Sequence, residues 1–353
     1  MTADSHGDVN SYAYNLAEIL VSLTDAQILV VCTGENNKNI KQNANTDVIK
    51  TVFSNVSLDW NGNFEDYITR ITEFKSFIKK CIKDFNPGIV HLNHYIDVDI
   101  DRPIVLTAHD DVLNKIKWTK RKGRAYLLDS HLLKYRDFIK ENINKADSIV
   151  TLSRFTAQNL LRTYDVKNKI KIIYNGINST VRAKENENIS LFTSVNTKKE
   201  TGNFGMFLKT VQKLPENINI SVVENGLEDK KLSERINYHS FSDIEALNEI
   251  CSSADIYLDL SNWETFGTVP MIAAFSKCAI LANDIPFLRE MWGDCGCIFE
   301  RNNIYSLLRN LNNLIENRQY LNMVSQKCYN KAISVFNSKR MGYEYINLYK
   351  KFI

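Results

Sequence analysis

The chain has 353 residues, 44% of them hydrophobic and 24% charged, a globular balance at a length that suits two domains. A formal net charge of +3 is too small to draw a nucleic acid, and no apolar run approaches the roughly 20 residues of a membrane span. The polar N-terminus MTADSHGDVN lacks the apolar core of a signal peptide, so the expected location is cytoplasmic. In chain order, SYAYNLAEILVSL (11–23) predicts an amphipathic helix and AQILVVC (26–32) a strand. A second helix is predicted over 63–85, where Tyr67, Ile71, Phe74, Ile78 and Cys81 or Ile82 recur at helical spacing. Strands follow at GIVHL (88–92), PIVLTAH (103–109), DSIVTL (147–152) and KIKIIY (169–174). The polar NGINSTVRAKENENI (175–189) reads as a linker. Beyond it ISLFTSV (189–195), INISVVE (218–224), ADIYLDL (254–260), CAILAN (278–283) and GCIF (296–299) repeat the strand theme between helical patterns.

Strands alternating with helices point to parallel βαβ units. The expected architecture is α/β, two Rossmann-like doubly wound domains facing a central cleft, with chemistry at the carboxyl ends of strands. Only six residues precede Gly7, too few for the strand expected before the first helix; either the chain begins late or something else fills that place. Seven cysteines, odd in number and scattered through apolar contexts, read as free thiols. Cys295 and Cys297 have no second Cys or His pair at ligand spacing, so no metal site is expected.

The chemistry concentrates in SADIYLDLSNWETFGTVPMIAAFSKCAILANDIPFLREMWGDCGCIF (253–299). A strand ends near Leu260, a loop carries Glu264, and Gly267 permits a tight turn before a helix beginning near Thr268. Amides at a helix start can bind phosphate or polarised hydroxyls, and a carboxylate beside them can accept from sugar hydroxyls. The plainer alternative is a capped helix with an exposed Glu. Glu264, Phe266, Gly267, Pro270, Ala273, Asp284, Pro286, Arg289, Glu290, Gly293 and Asp294 stand in an order that resembles the signature of the retaining family-four glycosyltransferases (glycosyl transferases group 1), which have the GT-B fold. The resemblance covers most of the chain: GDVNSYAYNLAEIL, IVHLNHY, PIVLTAHD, HSFSDIEALNEICSSADIYL and the final RMGYEYINLYKKFI each resemble a segment of that family. It implies an N-terminal acceptor-side domain over 1–176, a C-terminal nucleotide-sugar domain over 177–336, and a helix over 337–353 that returns to the N-terminal domain.

The resemblance implies transfer of a hexose from a nucleotide diphosphate sugar to a glycan or lipid-linked acceptor, with retained configuration, no cofactor and no bound metal. Carried over, Glu264 grips the donor sugar, the amides of Phe266, Gly267 and Thr268 face sugar and phosphates, and His109 orients donor or acceptor. Gly7 lets the N-terminal loop approach the phosphate, and Ser240 and Phe241 fall where the family contacts the base. Three places depart from the pattern. Ile272 replaces a Glu that usually binds the ribose, and Glu224 takes a usual glycine place. Asn196 (or Val195) and Thr201-Gly202 stand where an Arg and a Lys-Gly clamp the diphosphate, with Lys198 and Lys199 nearby. A second reading is therefore a catalytically silent GT-B subunit that binds glycan or supports a partner glycosyltransferase.

Weaker patterns remain. Asp97, Asp99 and Asp101 make overlapping Asp-x-Asp pairs but read as a solvated acidic turn. His91 and His94 are either neighbours of His109 or structural histidines. Lys115, Lys117, Lys120, Arg121, Lys122 and Arg124, with Trp118 among them, read either as an acceptor-side surface facing an inner-membrane leaflet or as an ordinary solvated helix and loop.

Overall fold

The computed structural model describes residues 9–34, 47–109, 112–119, 129–178, 188–195, 203–224, 234–240, 244–265 and 267–353. The chain forms two compact units, one of Met1–Asn175 with Ser338–Ile353 and the other of Gly176–Asn337.

Unit 1 opens with helix α1 (Val9–Leu23), followed by the parallel pair β1 (Ile28–Cys32) and β2 (Ile49–Phe53). Helix α2 (Phe64–Phe85) starts where the Asn63 side chain accepts the Asp66 amide, and it stops at Asn86 in the left-handed conformation, φ 51°. Its predicted stripe is buried at Tyr67, Ile71, Phe74 and Ile78, whereas Cys81 and Ile82 in the last turn stay half-buried. A parallel sheet runs β3 (Val90–Leu92), β4 (Ile104–Ala108), β5 (Ser148–Thr151), β6 (Ile170–Ile172). Between β4 and β6 lie α3 (Val112–Thr119), α4 (Ser130–Ile143) and α5 (Arg154–Tyr164). Trp60, Tyr67 and Tyr135 meet with ring centroids 4.5–5.7 Å apart and tie α2 to α4. Among the described residues the β1–β2 pair and the four-stranded sheet share no ladder.

Unit 2 holds one parallel sheet in the order β12-β11-β10-β7-β8-β9. Its strands are β7 (Ser190–Val195), β8 (Asn219–Glu224), β9 (Ile236–Ser240), β10 (Ile256–Asp259), β11 (Ala279–Asn283) and β12 (Cys297–Phe299). Helices α6 (Phe204–Val211), α7 (Ile244–Ser253), α8 (Thr268–Phe275), α9 (Pro286–Trp292), α10 (Ile304–Glu316) and α11 (Arg318–Val335) complete it. Strands β10 and β11 are buried at every position, as a sheet covered on both faces requires. Helix α8 is buried at seven of its eight positions, which explains its near-uniform apolar sequence.

The chain leaves unit 1 after Asn175 and returns at Ser338. On the unit 2 side the Ile177 amide donates to the Phe336 carbonyl at 2.9 Å. On the unit 1 side the Arg340 guanidinium donates to the carbonyls of Tyr174 and Asn175 and pairs with Glu344. Arg340 belongs to α12 (Ser338–Tyr349), which packs on α1. A Cβ on Gly342 would stand 2.4 Å from Ile19 Cγ2, so only glycine permits this approach. Among the described residues, no helix is long and apolar enough to cross a membrane.

Candidate active site

In unit 2 the carboxyl end of β10 leads into the loop that carries Glu264. The Glu264 carboxylate turns back on its own loop: Oε1 accepts the amides of Thr265 at 2.7 Å and Gly267 at 3.2 Å. It thereby covers the amino end of α8, where unpaired amides favour negative charge. Gly267 is in the left-handed region, φ 62°, and a Cβ there would sit 3.2 Å from Phe287 Cε1. The backbone conformation favours glycine, and a Cβ would require the Phe287 ring to give by a few tenths of an ångström. Thr268, half-buried, opens the helix. Ile272, one turn further on, is 1% exposed and belongs to the core.

A second carboxylate joins Glu264. Asp259 ends β10, is 1% exposed, and accepts the Ser261 amide through Oδ1 at 3.0 Å. Burial pushes its pKa up to about 6, and the neighbouring Glu264 charge adds to the rise. Tyr257, two residues earlier, is raised well above its ordinary value by burial, with Asp259, Glu264 and Cys251 contributing. The mark of Asp259 in the sequence is an acid within the apolar stretch IYLDL (256–260), which does not by itself reveal burial.

Several signature residues brace the unit. Arg289 Nε donates to Asp284 Oδ1 at 2.7 Å in a two-pronged pair, and Asp294 pairs with Lys331. A Cβ on Gly293 would lie 2.5 Å from the Arg289 carbonyl oxygen, an atom fixed by the helix backbone. Gly293→Ala is therefore expected to lower stability by about 1–3 kcal/mol, measured by denaturant titration. Cys295 and Cys297 are free and buried, and no group of three potential metal ligands occurs among the described residues.

In unit 1 His109, just past β4, is 3% exposed, and its Nε2 lies 2.7 Å from Asn93 Oδ1. An amide oxygen only accepts, so Nε2 carries the proton. Burial, with His94 and His91 adding to it, holds the pKa well below the ordinary value, so the ring is neutral at physiological pH. His91 is structural as well as a neighbour, with both ring nitrogens engaged, by Tyr349 at 2.6 Å and Thr107 at 2.7 Å. Burial lowers the pKa of His91 and of His94 to about 4. Asp97 pairs with Lys145 at 2.8 Å, and Asp99 is almost wholly exposed.

Of the basic run, Lys115, Lys117 and Trp118 lie on α3. Lys117 is exposed, while Trp118 packs edge-on against Phe155 of α5, centroids 6.1 Å apart. Ser240 ends β9, described by its backbone alone. Gly7, Lys120, Arg121, Lys122, Arg124, Asn196, Lys198, Lys199, Phe241 and Phe266 lie outside the described residues.

The family model described as Glycosyltransferase Family 4 matches residues 9–181, and that described as Glycosyl transferases group 1 matches 180–331. The O-antigen chain mannosyltransferase RfbU of Salmonella typhimurium is 23% identical over 229 residues, spanning 61% of this chain and 61% of that protein. The sucrose-phosphate synthase of Thermosynechococcus elongatus superposes with a TM-score of 0.79 at 14% identity, covering 98% of this chain and 93% of that one. The Anabaena protein Alr3699/HepE, solved in complex with UDP and glucose, superposes with a TM-score of 0.70 at 13% identity, covering 98% of each chain. With the two models meeting end to end over 9–331 and the fold matched along nearly its whole length, this chain belongs to the group 1 glycosyltransferases and has the GT-B fold.

Proposed function

We propose that the protein transfers a hexose from a nucleotide diphosphate sugar to a glycan or lipid-linked acceptor in polysaccharide assembly, with retention at the anomeric carbon and without a bound metal. The observation that carries this reading is Glu264, a carboxylate fixed by two amides at the carboxyl end of β10 and the start of α8. A group held this way costs little reorganisation when charge develops beside it. In the proposal Glu264 binds the hydroxyls of the donor sugar, and the start of α8 favours the departing diphosphate. His109, neutral and buried, orients a substrate hydroxyl through a hydrogen bond and supplies no positive charge. The O-antigen mannosyltransferase relative and the structure of Alr3699/HepE with UDP-glucose support the substrate classes.

Glu264→Gln keeps an oxygen for the Thr265 and Gly267 amides and removes the charge. It is expected to lower kcat/KM about 100-fold or more with the melting temperature unchanged. The assay pairs calorimetry against UDP-, GDP- and ADP-sugars with NMR of the product anomer. Failure of every donor to bind an intact fold would falsify the reading. An inverted product overturns retention alone. Ile272 favours a second reading, in which the protein binds sugar and supports a partner glycosyltransferase, because the family resemblance implies a ribose-binding Glu at this position and the residue here is apolar and buried. Donor binding with no turnover on any acceptor supports that alternative.

A further inference from the structure

A line of polar side chains crosses unit 1 from its C-terminal helix to His109. The Tyr349 hydroxyl meets His91 Nδ1 at 2.6 Å, and His91 Nε2 meets Thr107 Oγ1 at 2.7 Å. Thr107 Oγ1 lies 2.9 Å from the Tyr345 hydroxyl, which lies 2.6 Å from the Tyr12 hydroxyl. The Tyr12 ring stands edge-on to His109, centroids 4.6 Å apart and planes at 76°. Thr107 and Tyr345 are wholly buried, and Tyr12 is 3% exposed. Burial and the Tyr345 hydroxyl push the Tyr12 pKa well above its ordinary value, so its proton stays in the network.

His109 is thus held by Asn93 at Nε2 and by a perpendicular ring at its side. A ring packed at right angles to the imidazole hinders its rotation about the Asn93 hydrogen bond. Tyr12 in turn is held at its far end, because its hydroxyl is bonded to Tyr345. An apolar ring in place of Tyr345 would pack equally well against His91 and Tyr349 (centroids 5.3 and 5.8 Å) but would remove that hydrogen bond and leave Thr107 beside the Tyr12 hydroxyl. We infer that Tyr12 is a positioning residue for His109 and that Tyr345 of α12 sets Tyr12, so that α12 completes this part of the site. The inference rests on the reading of His109 as a substrate-orienting group.

Tyr345→Phe in the full chain is the test, with Tyr343→Phe as the control: Tyr343 is on the same helix, 55% exposed and outside the line. For Tyr345→Phe, kcat is expected to fall about tenfold to a hundredfold with donor affinity unchanged. The 15N signals of the His109 ring are expected to move away from the fixed Nε2–H tautomer. Tyr343→Phe leaves all three readouts at the wild-type values. Unaltered His109 ring signals in Tyr345→Phe overturn the inference. If the signals move and the rate does not, the coupling stands and the role given to His109 falls. Tyr12→Phe removes the partner hydroxyl and carries the same test should Tyr345→Phe fail to fold.

Discussion

Ile272→Glu is expected to destabilise unit 2 by about 3–5 kcal/mol, the usual consequence of a buried charge with no partner. Ile272 is 1% exposed, and the other side chains of α8 around it, from Val269 to Phe275, are buried too. The helix packs on α7, α11, β10 and β11. A carboxyl group placed there takes up a proton, so its folded pKa rises above the unfolded value. The stability loss is then smallest at acid pH and grows as pH rises through the interval between the two values. Denaturant titrations at pH 5 and pH 8 measure this, with Ile272→Leu, expected to cost less than about 1.5 kcal/mol, as the size control. Wild-type stability in Ile272→Glu, with tighter donor binding, would show that the position opens to ligand.

Asp259→Asn is expected to remove about 3 kcal/mol of pH dependence from the stability of the protein. The folded pKa of Asp259 is raised from 3.8 to about 6, first by burial and then by Glu264. Between those values the folded chain binds more protons than the unfolded one, so stability falls as pH rises from about 4 to about 6 and the loss is complete above. Asparagine keeps an oxygen for the Ser261 amide and cannot ionise. Its absolute effect mixes that relief with an unpaired amide N–H, so the informative quantity is the wild-type minus variant difference at pH 4 and pH 7. A difference independent of pH would mean that Asp259 is ionised in the folded chain throughout. The groups that share its surroundings are Glu264, Tyr257 and Cys251.

The parallel α/β architecture was legible because covered strands must be almost continuously apolar and the α2 stripe keeps a helical period. All ten predicted strands have counterparts, each within three residues at either end, as β10 (Ile256–Asp259) shows against the predicted 254–260. The strands that escaped, β2 and β9, carry Lys50, Asn237 and His239, whose polarity hides a pairing decided by neighbouring strands. Near the candidate site the Gly267 turn was legible because a left-handed backbone favours glycine, whereas His109 stood out only through the family resemblance. Asp259 and the Tyr12–Tyr345 contact could not be read. A buried acid is invisible until burial is known, and two tyrosines 333 positions apart meet only through the return of the chain to unit 1.

That return has a consequence for synthesis. A ribosome delivers 1–175, then the whole of 176–337, and only then the residues that Arg340 clamps to Tyr174 and that lay Gly342 against Ile19. The middle of the chain forms a compact unit of its own, Gly176–Asn337, whereas the portion made first receives α12 only from the portion made last. Unit 2 can therefore mature while unit 1 still exposes the faces of α1 and β4 meant for α12, and translation stalled before Ser338 would leave that apolar surface open to chaperones.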